Sequence, residues 1–188
     1  MLEGLASTLK KSRYIHCLHV EATAAELAQF YGVDRDKAAL AGLLHDCSRY
    51  LPPREMLRKA EEAGIAVTPL RREQPDLLHP MVSAVLAREV YGVEDEQVLH
   101  AIASHMQGSV PMSGLDMVVN AADYVEPGRD FPGVDGLRRE MKAVPLPELL
   151  LHCMKGTMVY LLEQETACID PQSVETINYL IKEISNGR

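Results

Sequence analysis

Apolar residues recur three and four positions apart along nearly the whole chain, interrupted at short intervals by Gly and Pro. No stretch shows the strict alternation of a half-buried strand. The pattern predicts an all-α fold, a helical bundle. Helices are expected at about Leu2 to Lys11 and Arg13 to Tyr31, then from a cap at Asp34 to the neighbourhood of His45-Asp46. Pro52-Pro53 opens the next, which stops at Gly64, and Pro80 starts one that reaches Tyr91. Glu94-Asp95-Glu96 places negative charge at the start of a helix ending near His105, and Ser113 caps another that runs through Tyr124. Asp135 to Ala143, Pro147 to Gln164 and Pro171 to Ser185 complete the set, with Pro69 to Pro75 and Pro127 to Gly133 read as loops. The run Ala38 to Leu44 is apolar on every face, so its helix belongs in the middle of the protein.

Residues three or four apart share a helix face, which separates inward from outward histidines. His16 lies in line with Val20, Ala24, Leu27 and Tyr31, whereas His19 lines up with Thr23, Glu26 and Phe30 near the rim. His105 shares a stripe with Val98, Ala101 and Ile102, while His100 sits beside Gln97 and Ser104. His79 leads Val82, Leu86 and Val90; His45 and Asp46 end the buried helix; Asp123 follows Val118, Val119 and Ala122. His152 is expected to pack within its own helix.

One buried imidazole is ordinarily a core group bonded to backbone. Six imidazoles and carboxylates at the ends or inner faces of separate helices are another matter, because a buried ionisable group costs several kcal/mol unless it is paired or binds a metal. Neutral imidazoles and carboxylates without thiolate suit Fe(II), Mn(II) or Zn(II) better than Mg(II). Such a metal brings the pKa of its water toward neutrality and polarises a phosphoryl oxygen. The residues therefore point to a metal-dependent phosphohydrolase.

Composition narrows the setting. The 188 residues, 47% hydrophobic and 24% charged, describe a globular chain expected to form one domain over 1–188, and 5% aromatics with no Trp imply an aliphatic core. A net charge of −8 excludes a nucleic-acid partner, yet leaves room for a short phosphorylated ligand held by local cations or a metal. No apolar run approaches the ~20 residues that span a bilayer, so no membrane association is expected. The N-terminus lacks a signal-peptide pattern. Cys17, Cys47, Cys153 and Cys168 form no Cys-x-x-Cys pair, as fits free packing thiols in a cytoplasmic protein. Glu61-Glu62 and Arg71-Arg72 read as solvated surface. Monomer and homodimer are both left open.

The order His, His-Asp, Asp is similar to that of the HD superfamily of metal-dependent phosphohydrolases. More narrowly, Arg13-Tyr14-Ile15-His16, Ala41-Gly42-Leu43-Leu44-His45-Asp46, Leu78-His79, Ala101-Ile102 with His105, Ala121 to Pro127 with Arg129, and Phe131-Pro132-Gly133-Val134 resemble the YqeK family of symmetrical bis(5'-nucleosyl)-tetraphosphatases. That resemblance implies hydrolysis of diadenosine tetraphosphate to two ADP, with iron bound by His16, His45, Asp46 and Asp123. Asp46 would also orient the attacking water. Arg13, Arg49, His79, His105, Met106 and Arg129 would contact the nucleotide, with His79 and His105 open to a second metal or, when protonated, to proton donation. The base would lie near Thr166 to Pro171. Arg49 stands where the family commonly has Lys; His19 and Met106 replace a small residue and Thr. Other HD substrates, namely a dNTP, a cyclic nucleotide or a guanosine alarmone, stay open at this point. A non-catalytic sensor would have lost a ligand, and none of the expected ligands is missing.

Overall fold

The computed structural model describes residues 2–165 and 167–186, and among them every regular element is helical. The helices are α1 (Leu2–Thr8), α2 (Lys11–Tyr31), α3 (Arg35–Leu44), α4 (Pro53–Glu62), α5 (Pro69–Glu73), α6 (His79–Glu89), α7 (Glu96–Ser104), α8 (Gly114–Val125), α9 (Val134–Glu140), α10 (Leu146–Glu163) and α11 (Pro171–Asn186). A 3-10 turn, Pro75–Leu78, leads directly into α6. The expected caps form: Asp34 accepts from the amides of Asp36 and Lys37, Asp95 from those of Gln97 and Val98, and Ser113 builds a capping box with Asp116.

Helix α3 lies at the centre, packed against α2, α6, α7 and α8. Leu27, Leu44, Leu78, Ile102, Leu149 and Leu150 are fully enclosed in the core, each burial contributing about 1.5–3 kcal/mol. Gly42 lets α3 and α2 approach closely, since a Cβ there would stand 3.0 Å from the Val20 carbonyl oxygen and 3.1 Å from the Glu21 backbone.

The structure differs from the sequence expectation in three places. The first helix stops at Thr8, because Leu9 turns its side chain into the core and Lys10 is extended at φ −58°, ψ 143°. The expected loop instead holds two short helical pieces, Pro69–Glu73 and Pro75–Leu78, parted at Gln74: Thr68 caps Arg71 and Pro69 supplies the first helical φ. Thr23, placed on a polar stripe by periodicity, is buried because α3 and α8 cover α2 from two sides. No helix among the described residues is long and apolar enough to cross a membrane.

Candidate metal centre

Five helices deliver the expected ligands to one point. His16 comes from the second turn of α2, His45 and Asp46 follow the last residue of α3, His79 opens α6, His105 caps α7 and Asp123 lies in the last turn of α8. Three of these positions are helix C-termini, whose unpaired carbonyls carry partial negative charge and favour a cation. Asp46, His45 and His105 are at most 2% exposed, and His79 is also buried.

The distances divide the centre into two halves. His16 Nε2 lies 3.1 Å from His45 Nε2, 3.0 Å from Asp123 Oδ1 and 3.7 Å from Asp46 Oδ2; His45 Nε2 is 3.4 Å from that same oxygen. On the other side, His79 Nε2 is 3.1 Å from His105 Nε2 and 3.2 Å from Asp46 Oδ1, which His105 Nε2 approaches to 3.9 Å. Asp46 thus turns one oxygen to each half.

Hydrogen bonds fix which ring nitrogens face inward. His45 Nδ1 donates to the Gly42 carbonyl at 2.7 Å, His79 Nδ1 to that of Asp76 at 2.6 Å and His105 Nδ1 to that of Ile102 at 2.8 Å. A carbonyl only accepts, so each Nδ1 carries a proton and, in the neutral ring that binds a metal, each Nε2 presents a lone pair to the centre. His16 does the same through the Glu126 carboxylate, 3.1 Å from its Nδ1. Lone pairs facing each other at 3.1 Å repel unless a cation lies between them, and the donor set fits a divalent metal. His16, His45 and Asp123 form one candidate ligand group, and His45, Asp46 and His105 another.

Electrostatics agree with that fit. Burial alone would lower the His45 pKa, but the Asp46 carboxylate beside it reverses the sign and raises it. Asp46 in turn is held well below the usual carboxylate range, against its burial, by His45 and His79. A metal replaces the proton between such partners. Burial, with His45 and His79 alongside, lowers His105 to about 3, which favours the neutral ring that a metal requires.

Arg13 Nη1 donates to Asp46 Oδ2 at 2.7 Å, Arg129 donates to Asp123, and Arg49 bonds to Asp76 while its Nε lies 3.9 Å from Asp46 Oδ1. Each guanidinium has further donors for an anion. Met106 is half-buried beside His105. Thr166 lies outside the described residues; at the other end of that expected base loop, Asp170 pairs with Arg71 at 3.2 Å and caps α11. Arg71 is thus a half-buried tie rather than solvated surface. His152, expected to pack within its helix, is exposed and donates to Glu140 at 2.6 Å. Cys17 and Cys47 are fully buried, and burial pushes the Cys47 thiol up to about 12, as suits packing thiols.

Glu126, inside the segment Ala121 to Pro127, has no role that the sequence reveals. It is 2% exposed, accepts from His16 and from His19 Nδ1 at 2.9 Å, and takes the Gly128 amide. A Cβ on Gly128 would stand 2.9 Å from Glu126 Oε2 and 3.0 Å from His19 Nδ1, so a side chain there would displace this pair. The available signal was the Glu-Pro-Gly sequence, a turn directly after a helix end.

An all-α bundle that gathers His, His-Asp, His, His and Asp from five helices in chain order defines a metal-dependent hydrolase of the HD type, and residues 13–128 match the HD domain model. The chain belongs to the HD domain family, in its branch of symmetrical bis(5'-nucleosyl)-tetraphosphatases. It is 36% identical over 173 residues to the protein of that name from Bacillus subtilis, covering 92% of this chain and 91% of the relative. The Staphylococcus aureus protein of the same name is 32% identical, with 91% and 88% covered. A crystal structure of an HD superfamily hydrolase from Clostridium acetobutylicum superimposes with a TM-score of 0.92 at 35% identity, over 97% of this chain and 95% of that one.

Proposed function

We propose that the chain hydrolyses diadenosine tetraphosphate symmetrically to two ADP, using iron bound by His16, His45, Asp46 and Asp123, with a second divalent metal held by His79, His105 and Asp46. The observation that carries the mechanism is the divided Asp46 carboxylate, which serves both halves of the centre. A metal bound there supplies Lewis acidity and an acidified water. The protein supplies the rest. Asp46 orients the attacking water in line with a central phosphorus, while Arg13, Arg49 and Arg129 balance the charge of the phosphate chain, the main electrostatic demand of phosphoryl transfer. The enclosed imidazoles hold the ligand geometry through their Nδ1 bonds.

Incubation of the purified chain with diadenosine tetraphosphate should yield ADP as its sole nucleotide product, resolved by ion-exchange chromatography; AMP together with ATP would overturn the symmetrical reading. Asp46→Ala should lower turnover about 100-fold or more. Retention within a few-fold would remove Asp46 from the reaction. Elemental analysis of protein prepared without added metal tests the assignment of iron.

A further inference from the structure

The segment Phe131-Pro132-Gly133-Val134 takes no part in the steps above. It walls a trough of about 590 Å³ that is also lined by Arg129 and Asp130, a volume within the ~300–1,000 Å³ of small-molecule sites. Arg129 joins the trough to the metal centre, since it lines the one and donates to the Asp123 carboxylate and carbonyl of the other. Phe131 is half-buried and set edge to face against Tyr124, with centroids 6.3 Å apart at 90°. Asp130 is exposed and has no ionic or hydrogen-bonded partner among the described residues. The wall is rigid: Arg138 donates to the carbonyls of Val125, Glu126 and Arg129 at 3.0, 2.7 and 2.7 Å, and Val134 is anchored at 4% exposure.

A polyphosphate cut at its middle leaves the centre in two directions, phosphate first and nucleoside outermost. The trough has that same order of chemistry, a cation at the centre and then an aromatic ring, prolines and a free carboxylate that can accept from an exocyclic amino group. A second trough, about 350 Å³ between Leu51 and Asp76, is lined by Glu73 and Asp76 with no Lys or Arg, so its own lining offers a phosphate arm no cation. We propose that the Arg129–Phe131 trough holds one nucleoside half of the substrate, with Arg129 on its phosphate and Phe131 against the face of its purine. This rests on the tetraphosphatase reading and extends it to the seat of a base.

Equilibrium dialysis of ADP against the metal-loaded protein should find two ADP per wild-type chain and one per Phe131→Ala chain. The KM for diadenosine tetraphosphate should rise about tenfold in the variant, the scale of one lost base–aromatic stack. Phe131→Leu keeps the apolar bulk and removes the aromatic face; it should lose the same ADP while melting within a few degrees of wild type. One ADP on the wild type, or two on Phe131→Leu, would overturn the trough. A wild type that fails to cleave the dinucleotide would overturn the underlying function instead, whatever the ADP count.

Discussion

His45, His79 and His105 each donate to a carbonyl three residues earlier in the chain, so local helix geometry alone orients them. His16 differs, since its acceptor is Glu126, 110 residues away. The carboxylate orients the ring and raises its basicity as a ligand. Glu126→Ala should therefore weaken metal binding about 10- to 100-fold, measured by competition with a calibrated chelator. Glu126→Gln keeps an acceptor for His16 Nδ1 and should recover most of that loss. Equal weakening in both variants would show that the carboxylate's charge, and not its orientation of His16, is what matters. The contrast also explains what was legible here. His16, His45, Asp46, His79, His105 and Asp123 each stand at a helix end or on an apolar stripe, where period and resemblance find them. Glu126 lies beyond the end of α8, and its burial comes from the Pro127-Gly128 turn and from His19 on α2.

At the scale of elements, the centre depends on how closely α2 and α3 pack, because they carry His16 and His45-Asp46. Gly42→Ala adds a methyl group against rigid backbone of α2. Overpacking of this kind costs about 1–3 kcal/mol, and the ~1 kcal/mol that Ala gains in helix propensity offsets only part of it. Chemical denaturation should show a net loss of up to about 2 kcal/mol, with an unchanged stability arguing that the helices separate freely. The order of long helices was readable from period and caps. The short α5 was not, since Pro75 follows Pro69 too closely for an amphipathic period to develop, and only the Thr68-Pro69 start signal marks it. Tertiary cover likewise overrode pattern at Thr23, whose face meets a second helix.

Across the whole molecule, five helices meet at one charged point that contributes no apolar burial of its own. An ion bound by the folded chain and not by the unfolded one stabilises by about 2.7 kcal/mol at a hundredfold excess over its Kd. For a chain of this length, removing the metal with a chelator should lower Tm by about 5–10 °C by calorimetry, and restoring it should reverse the change. An unchanged Tm would mean that the bundle holds its histidines together without help. The acidic net charge of −8 also reads differently at this scale: two of those carboxylates face the centre, where Arg13, Arg49 and Arg129 gather round them.

The split of Asp46 makes the two halves unequal. On the proposed ligand set, one side offers four protein donors, His16, His45, Asp46 and Asp123, while the other offers three, His79, His105 and the second oxygen of Asp46. Fewer protein donors and a single shared anionic charge would leave a metal on the His79 side with more positions for water or substrate oxygen than one on the His16 side.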